Sequence, residues 1–178
     1  GNPYAGPEEN GYPGFMALID AVKPDQCTLV PDSPNQLTSD HGWNLSEESN
    51  RLKPLVAKLK ADNIRVSCFM DPDHEQLRLA HHLGADRIEF YTGPYAEAWG
   101  SDRADSFFQQ HKKAAELATS LGMRVNAGHD LNLHNLAKFA SIPGLLEVSI
   151  GHAFIVDSLT TVSHTHLTLP RNIEMKSS

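Results

Sequence analysis

Five short runs rich in Val, Ile, Leu and Phe recur along the chain, and a longer polar or amphipathic stretch separates each from the next. They are Gln26–Val30, Ile64–Met70, Arg87–Tyr91, Met123–Asn126 and Leu146–Ile150. Runs this short read as strands. The stretches between them carry helical spacing. Over Glu47–Asp62, Leu52, Leu55, Val56 and Leu59 share one face, while Lys53, Lys58 and Lys60 point elsewhere. Ser46 is the expected N-cap, and Pro54 is expected to kink this helix or delay its start. Asp73–Leu83 is expected to end at Gly84, and Asp102–Leu121 at Gly122. His134–Ser141 and Ala153–Leu159 are shorter candidates.

Strand–helix–strand order demands crossover connections and hence a parallel sheet, covered so that its strands read as apolar runs. Two α/β architectures fit: an open doubly wound sheet, or part of a (β/α)₈ barrel. A whole barrel typically needs about 250 residues, and this chain has 178, enough for one domain. The formal charge of −7 gives no basic surface for nucleic acid or an anionic membrane. No apolar run approaches the roughly 18 residues of a membrane span. Cys27 and Cys68, the two cysteines, lie in strand-like runs. They read as buried free thiols, with a disulfide or shared metal as the alternative.

The polar residues gather after the strands. The first strand runs into Pro31-Asp32 and a loop with Thr38, Asp40 and His41; the second into Asp71-Pro72-Asp73. The third contains Glu89 and continues into Thr92-Gly93; the fourth into Gly128-His129-Asp130; the fifth into Gly151-His152. Carboxyl ends of parallel strands are where α/β folds bind ligands. The opposite ends, Asp86-Arg87 and Gly122-Met123-Arg124, read as short solvent turns.

Glu89 is expected to point into a barrel lumen, because a carboxylate among helices needs a partner; an ion pair with an arginine is the alternative. His129 is placed to move a proton near neutral pH, or is a plain turn histidine. Gly128 before it allows close approach. His134 adds only a weak metal-binding pattern. Gly151-His152 precedes a helix start whose free N–H groups suit a phosphate, the alternative being an ordinary turn. His81, His82 and His111 read as surface or packing residues.

Four motifs are recognisable together: Lys23–Asp32 continuing through Leu37–Trp43, Arg87–Gly93, Val125–Asn132, and Glu147–Ala153. In this order they closely resemble the pyridoxine 5′-phosphate synthases, over about residues 1–159. The resemblance implies a (β/α)₈ barrel that condenses 3-amino-2-oxopropyl phosphate with 1-deoxy-D-xylulose 5-phosphate. The products are pyridoxine 5′-phosphate, phosphate and water, and no metal or organic cofactor is implied. It also implies a cytoplasmic homo-oligomer, usually an octamer. His129 matches the family's proton donor and Glu89 a carboxylate that stabilises the transition state. Thr38 matches a contact to the deoxyxylulose phosphate, and Gly151 and His152 the amino-ketone phosphate site. Asp130 stands at a substrate contact where some members have glycine.

On this resemblance the chain is a partial barrel, truncated at both ends. About five C-terminal βα units are present. The first three strands are missing, with an early histidine and glutamate needed for catalysis, so the chain alone is expected to be inactive. Val162–Pro170 resembles translated sequencing-adapter DNA apart from His164. Residues 160–178 are therefore expected to be a non-native, disordered tail on a domain of residues 1–159. The alternative functions are another phosphate-binding barrel aldolase or isomerase, and a non-catalytic half-barrel that binds phosphate or a partner chain.

Overall fold

The structure, a computed structural model, describes residues 1–8, 11–33 and 36–165. Most of the expected tail lies outside these residues. Five parallel strands form one sheet in the order β1-β2-β3-β4-β5: β1 (Gln26–Leu29), β2 (Arg65–Met70), β3 (Arg87–Tyr91), β4 (Arg124–Gly128) and β5 (Leu145–Ser149). The helices are α1 (Phe15–Val22), α2 (Leu45–Ala61), α3 (His74–Leu83), α4 (Gly93–Glu97), α5 (Arg103–Ser120), α6 (Leu136–Phe139) and α7 (His152–Thr165).

Strand order follows chain order without reversal. A doubly wound sheet needs a reversal at its switch point, so the sheet has the sequence of a barrel wall. The two faces agree. Val66, Cys68, Met70, Ile88, Phe90, Val125 and Ala127 point one way and join Leu52, Val56, Leu59, Leu77, Ala80, Ala114 and Ala118 of α2, α3 and α5 in one apolar core. Each large aliphatic side chain buried there contributes about 1.5–3 kcal/mol. The alternate residues, facing the other way, include Ser67, Arg87, Glu89, Asn126 and Glu147. The helices therefore cover one face, and the other is polar.

Local signals explain most boundaries. Asp73 caps α3, its carboxylate accepting from the N–H groups of Glu75 and Gln76 at 2.8 and 2.9 Å. Gly84, at φ 98°, ends it. α2 starts after Asn44, not Ser46, and runs through Pro54 as one helix. Its buried Leu45, Leu52, Val56 and Leu59 outweigh the lost backbone bond. The stretch expected as His134–Ser141 contains only the single turn α6.

Two helices have no counterpart in the sequence reading. α1 begins after Gly14, which offers no capping side chain, and its eight residues FMALIDAV carry one charged group, Asp20. α4 is a five-residue turn begun by Gly93-Pro94. Arg87 also departs from expectation. It is not in a solvent turn but 4 % exposed on the polar face. Its Nη1 donates to Glu147 at 2.7 Å and to Asn126 at 3.2 Å.

Candidate active site

β3 and β4 pair with Glu89 opposite Asn126 and Tyr91 opposite Gly128. Glu89 is half-buried on the polar face, two residues beyond Arg87. The arginine that would have paired with it is engaged by Glu147 instead. A Cβ built on Gly128 would lie 2.6 Å from Glu89 Oε1 and 3.2 Å from Ser149 Cβ. Glycine at 128 leaves room for the carboxylate where it stands.

The chain then turns sharply. His129 and Asp130 have φ of 78° and 58°, a region that aspartate tolerates better than histidine. The imidazole of His129 meets Phe69 and Tyr91 edge to face, with centroids 5.2 and 5.8 Å apart. Phe69 is buried yet stands outside the helix-side core. Its place is on the polar face, under the histidine.

Thr38 arrives on the loop between β1 and α2. Ser39 Oγ donates to Asp32 at 2.8 Å, and Gln36 donates to Asp40 at 2.6 Å. Trp43 anchors the far end: its indole N–H donates to the Leu29 carbonyl at 2.9 Å and its backbone N–H to the Phe69 carbonyl at 3.0 Å. Gly42 has backbone of Met70 and Asp71 within 2.6 Å of where a Cβ would stand, so no larger residue fits this crossing.

One cavity of about 590 Å³ is lined by Thr38, Glu89, His129, Asp130, Gly151 and His152. All six residues singled out in the sequence meet there, at the carboxyl ends of β3, β4 and β5. Ser149 and Leu131 also line it; both lie within the recognised motifs, but neither side chain carries an ionisable group that would single it out. α7 begins at His152, so its unpaired N–H groups start at this wall. A neighbouring cavity of about 600 Å³ shares Asp130 and His152 and adds Asp40, Tyr91, Glu97 and His134. His134 lines that second space and not the one holding His129. Among the described residues, no group of three or more His, Cys, Asp or Glu is arranged to hold a metal. None of their helices is long and apolar enough to cross a membrane.

A larger cavity, about 800 Å³, lies at the opposite sheet edge among Lys60, Arg65, Asp86 and Arg124. Its chemistry is ordinary: Lys60 and Asp86 pair at 2.7 Å, and the Asp86 carboxylate also accepts the Val66 N–H. Placement at the amino ends of the strands argues against a ligand site there.

Other titratable groups are structural. Cys27 and Cys68 are free and buried, and burial pushes the Cys68 thiol up to about 12. Burial raises the Tyr91 hydroxyl, with Asp130, Asp40, Glu97 and Asp71 adding to it. Burial lowers His111 below its ordinary value. The hydrogen bond from Arg87 leads in lowering Glu147.

Comparison with known proteins places these features. The family described as "Pyridoxal phosphate biosynthesis protein PdxJ" matches residues 8–168. The pyridoxine 5′-phosphate synthase of Xanthomonas oryzae pv. oryzae is 48% identical over 160 residues, covering 89% of this chain and 62% of the relative. That of Xanthomonas campestris pv. campestris is 49% identical with the same coverage. That of Albidiferax ferrireducens is 50% identical over 135 residues, 75% of this chain and 54% of the relative. The chain thus spans about 62% of the length of the first curated relatives it matches. A solved structure, the Amycolatopsis orientalis BexX/CysO complex, aligns with TM-score 0.50 and 13% identity over 90% of this chain and 65% of that one. This likeness concerns the fold alone. On the match across residues 8–168 and identities near one half, the chain belongs to the PdxJ family of pyridoxal phosphate biosynthesis proteins.

Proposed function

We propose that the chain is the part of a pyridoxine 5′-phosphate synthase that carries one acid–base pair and the phosphate-facing wall. The reaction is the condensation of 3-amino-2-oxopropyl phosphate with 1-deoxy-D-xylulose 5-phosphate, releasing phosphate and water. The observation that carries this reading is the single cavity shared by Glu89, His129, Thr38 and Gly151-His152.

Ring closure requires repeated proton transfers: imine formation, enolisation, loss of water and carbon–carbon bond formation. His129 serves as proton donor, since an imidazole gives and takes protons near neutral pH. Glu89 stabilises positive charge that develops on the amine-derived nitrogen, a role suited to a fixed carboxylate away from bulk water. Thr38 contacts the deoxyxylulose phosphate. Gly151, His152 and the first N–H groups of α7 receive the amino-ketone phosphate. Asp130 contacts substrate through its backbone, which keeps its side chain clear of the anion.

The five strands are one part of a barrel wall, and further strands would complete it, one pairing with β5 and one beside β1, where Gly1 already donates to the Thr28 carbonyl at 2.8 Å and accepts the Val30 N–H at 3.0 Å. The remaining acid–base groups belong to those strands, so residues 1–178 alone do not turn over. The working protein is a cytoplasmic homo-oligomer that uses no metal or organic cofactor.

The test is an assay of pyridoxine 5′-phosphate formation from the two phosphates, run on the intact protein and on the 178-residue chain separately. Turnover by the intact protein supports the reading. An intact protein that binds neither phosphate refutes it, and turnover by the chain alone refutes the division of catalytic groups.

A further inference from the structure

Two consecutive residues, His129 and Asp130, hold left-handed backbone without being glycine. Such conformations persist where the surroundings over-determine them. Here two buried side chains from separate segments do so. Thr92, just beyond β3 and 0 % exposed, donates its backbone N–H to the Gly128 carbonyl at 3.0 Å. Its hydroxyl lies 2.7 Å from the same carbonyl and also reaches the His129 carbonyl. Asn135, 1 % exposed, acts from the other side: its Nδ2 donates to the Asp130 carbonyl at 3.2 Å. Its own Oδ1 accepts the Asn132 N–H at 2.8 Å, and its carbonyl accepts the Tyr95 hydroxyl at 2.8 Å. The carbonyls of 128, 129 and 130 are therefore all engaged by side chains that do not themselves line the cavity.

We infer that Thr92 and Asn135 are positioning residues: they fix the His129–Asp130 backbone so that the imidazole stands over the cavity between Phe69 and Tyr91. The catalytic consequence rests on His129 as the proton donor; the placement does not. Without the clamp, the pair relaxes toward ordinary backbone angles and the ring swings away from its two aromatic neighbours.

The experiment is NMR on the full chain with isotope-labelled histidine, the His129 signal being assigned by its loss in His129→Gln. Thr92→Val, which keeps the shape but not the hydroxyl, is expected to shift and broaden the His129 ring signal. Its cross-relaxation to the Phe69 and Tyr91 rings should be lost. Thr92→Ser, which keeps the hydroxyl, retains both. Asn135→Ala displaces the ring from the other side. The buried His111 reports that each variant is folded, and where Thr92→Val fails to fold, Asn135→Ala decides.

In the intact protein, Thr92→Val lowers kcat on the order of 10²-fold, the scale of a misplaced catalytic group, with KM for both phosphates little changed. A folded Thr92→Val or Asn135→Ala whose His129 signal and ring contacts match the unaltered chain overturns the inference. Absence of turnover in the unaltered intact protein would instead refute the proposed reaction, leaving the NMR result to judge the clamp.

Discussion

Glu89 and Gly128 share one space: a single carbon added at 128 would stand 2.6 Å from Glu89 Oε1. The glycine at the end of β4 is thus part of how the carboxylate is held on β3. Gly128→Ala is expected to fold, because the carboxylate end can swing aside, but with Glu89 displaced. In the condensation assay of the intact protein, kcat should fall on the order of 10²-fold. Thermal melting should show only a modest loss. Unchanged kcat would separate the glycine from the carboxylate's placement.

His129→Gln and Glu89→Gln remove charge or proton transfer with little change of shape. Each is expected to lower kcat by roughly 10²–10⁴-fold, the range for a positioned acid–base group. Circular dichroism and melting should stay near those of the unaltered protein, since neither residue is in the apolar core.

Arg87 is buried and bridges β3 to β5 through Glu147, with its Nε unpartnered. Arg87→Leu leaves Asn126 and Glu147 without that donor. It is expected to destabilise by about 1–3 kcal/mol, the effect of stranding buried polar groups. Glu147 is largely exposed, so rehydration limits its share. Urea denaturation reads this directly, and Arg87→Leu combined with Glu147→Leu should be less damaging than the sum of the two.

His111 supplies a pH prediction. Its ring nitrogens face the carbonyls of Phe107 at 2.8 Å and Tyr91 at 3.1 Å, and burial lowers its pKa. The unfolded chain, with a histidine near pH 6.5, then binds more protons than the folded one. Stability from this residue is complete above about pH 6.5 and falls as the pH drops toward the lowered folded value. Melts at a series of pH values should show this slope, and His111→Leu should flatten it.

Cys68 is fully buried, with its thiol pushed up to about 12. At neutral pH iodoacetamide should label it only as the protein unfolds. The labelled fraction should follow the denaturation curve seen by circular dichroism.

The strand pattern and the gathering of polar residues beyond it were legible because apolar residues fill the helix-side positions of each short run and ionisable residues cluster after its carboxyl end. Strand alternation gives Ile88 and Phe90 to the helix side, and the cost of an unpartnered carboxylate among helices is what turned the expectation for Glu89 to the other face. The same alternation applied to Arg87 would have set it there too. It was read as a turn residue because an arginine beside an aspartate looks solvated, and its partner Glu147 lies 60 residues away. α1 escaped because it is only eight residues long and begins after a glycine that offers no capping side chain. Thr92 and Asn135 escaped because their work is done on backbone carbonyls, which the sequence does not mark. The anchoring contact of Trp43 was hidden for the same reason: its partner is the carbonyl of Leu29.

The division of the sheet into an apolar side and a polar side has a consequence for how such a protein can change. Neighbouring positions on one strand answer to separate demands. Ile88 and Phe90 hold the wall together, while Arg87, Glu89 and Tyr91 between and beside them set what the wall encloses. A lineage can therefore change the side chains at 89 and 91, and with them the chemistry, while Ile88 and Phe90 keep the scaffold as it was.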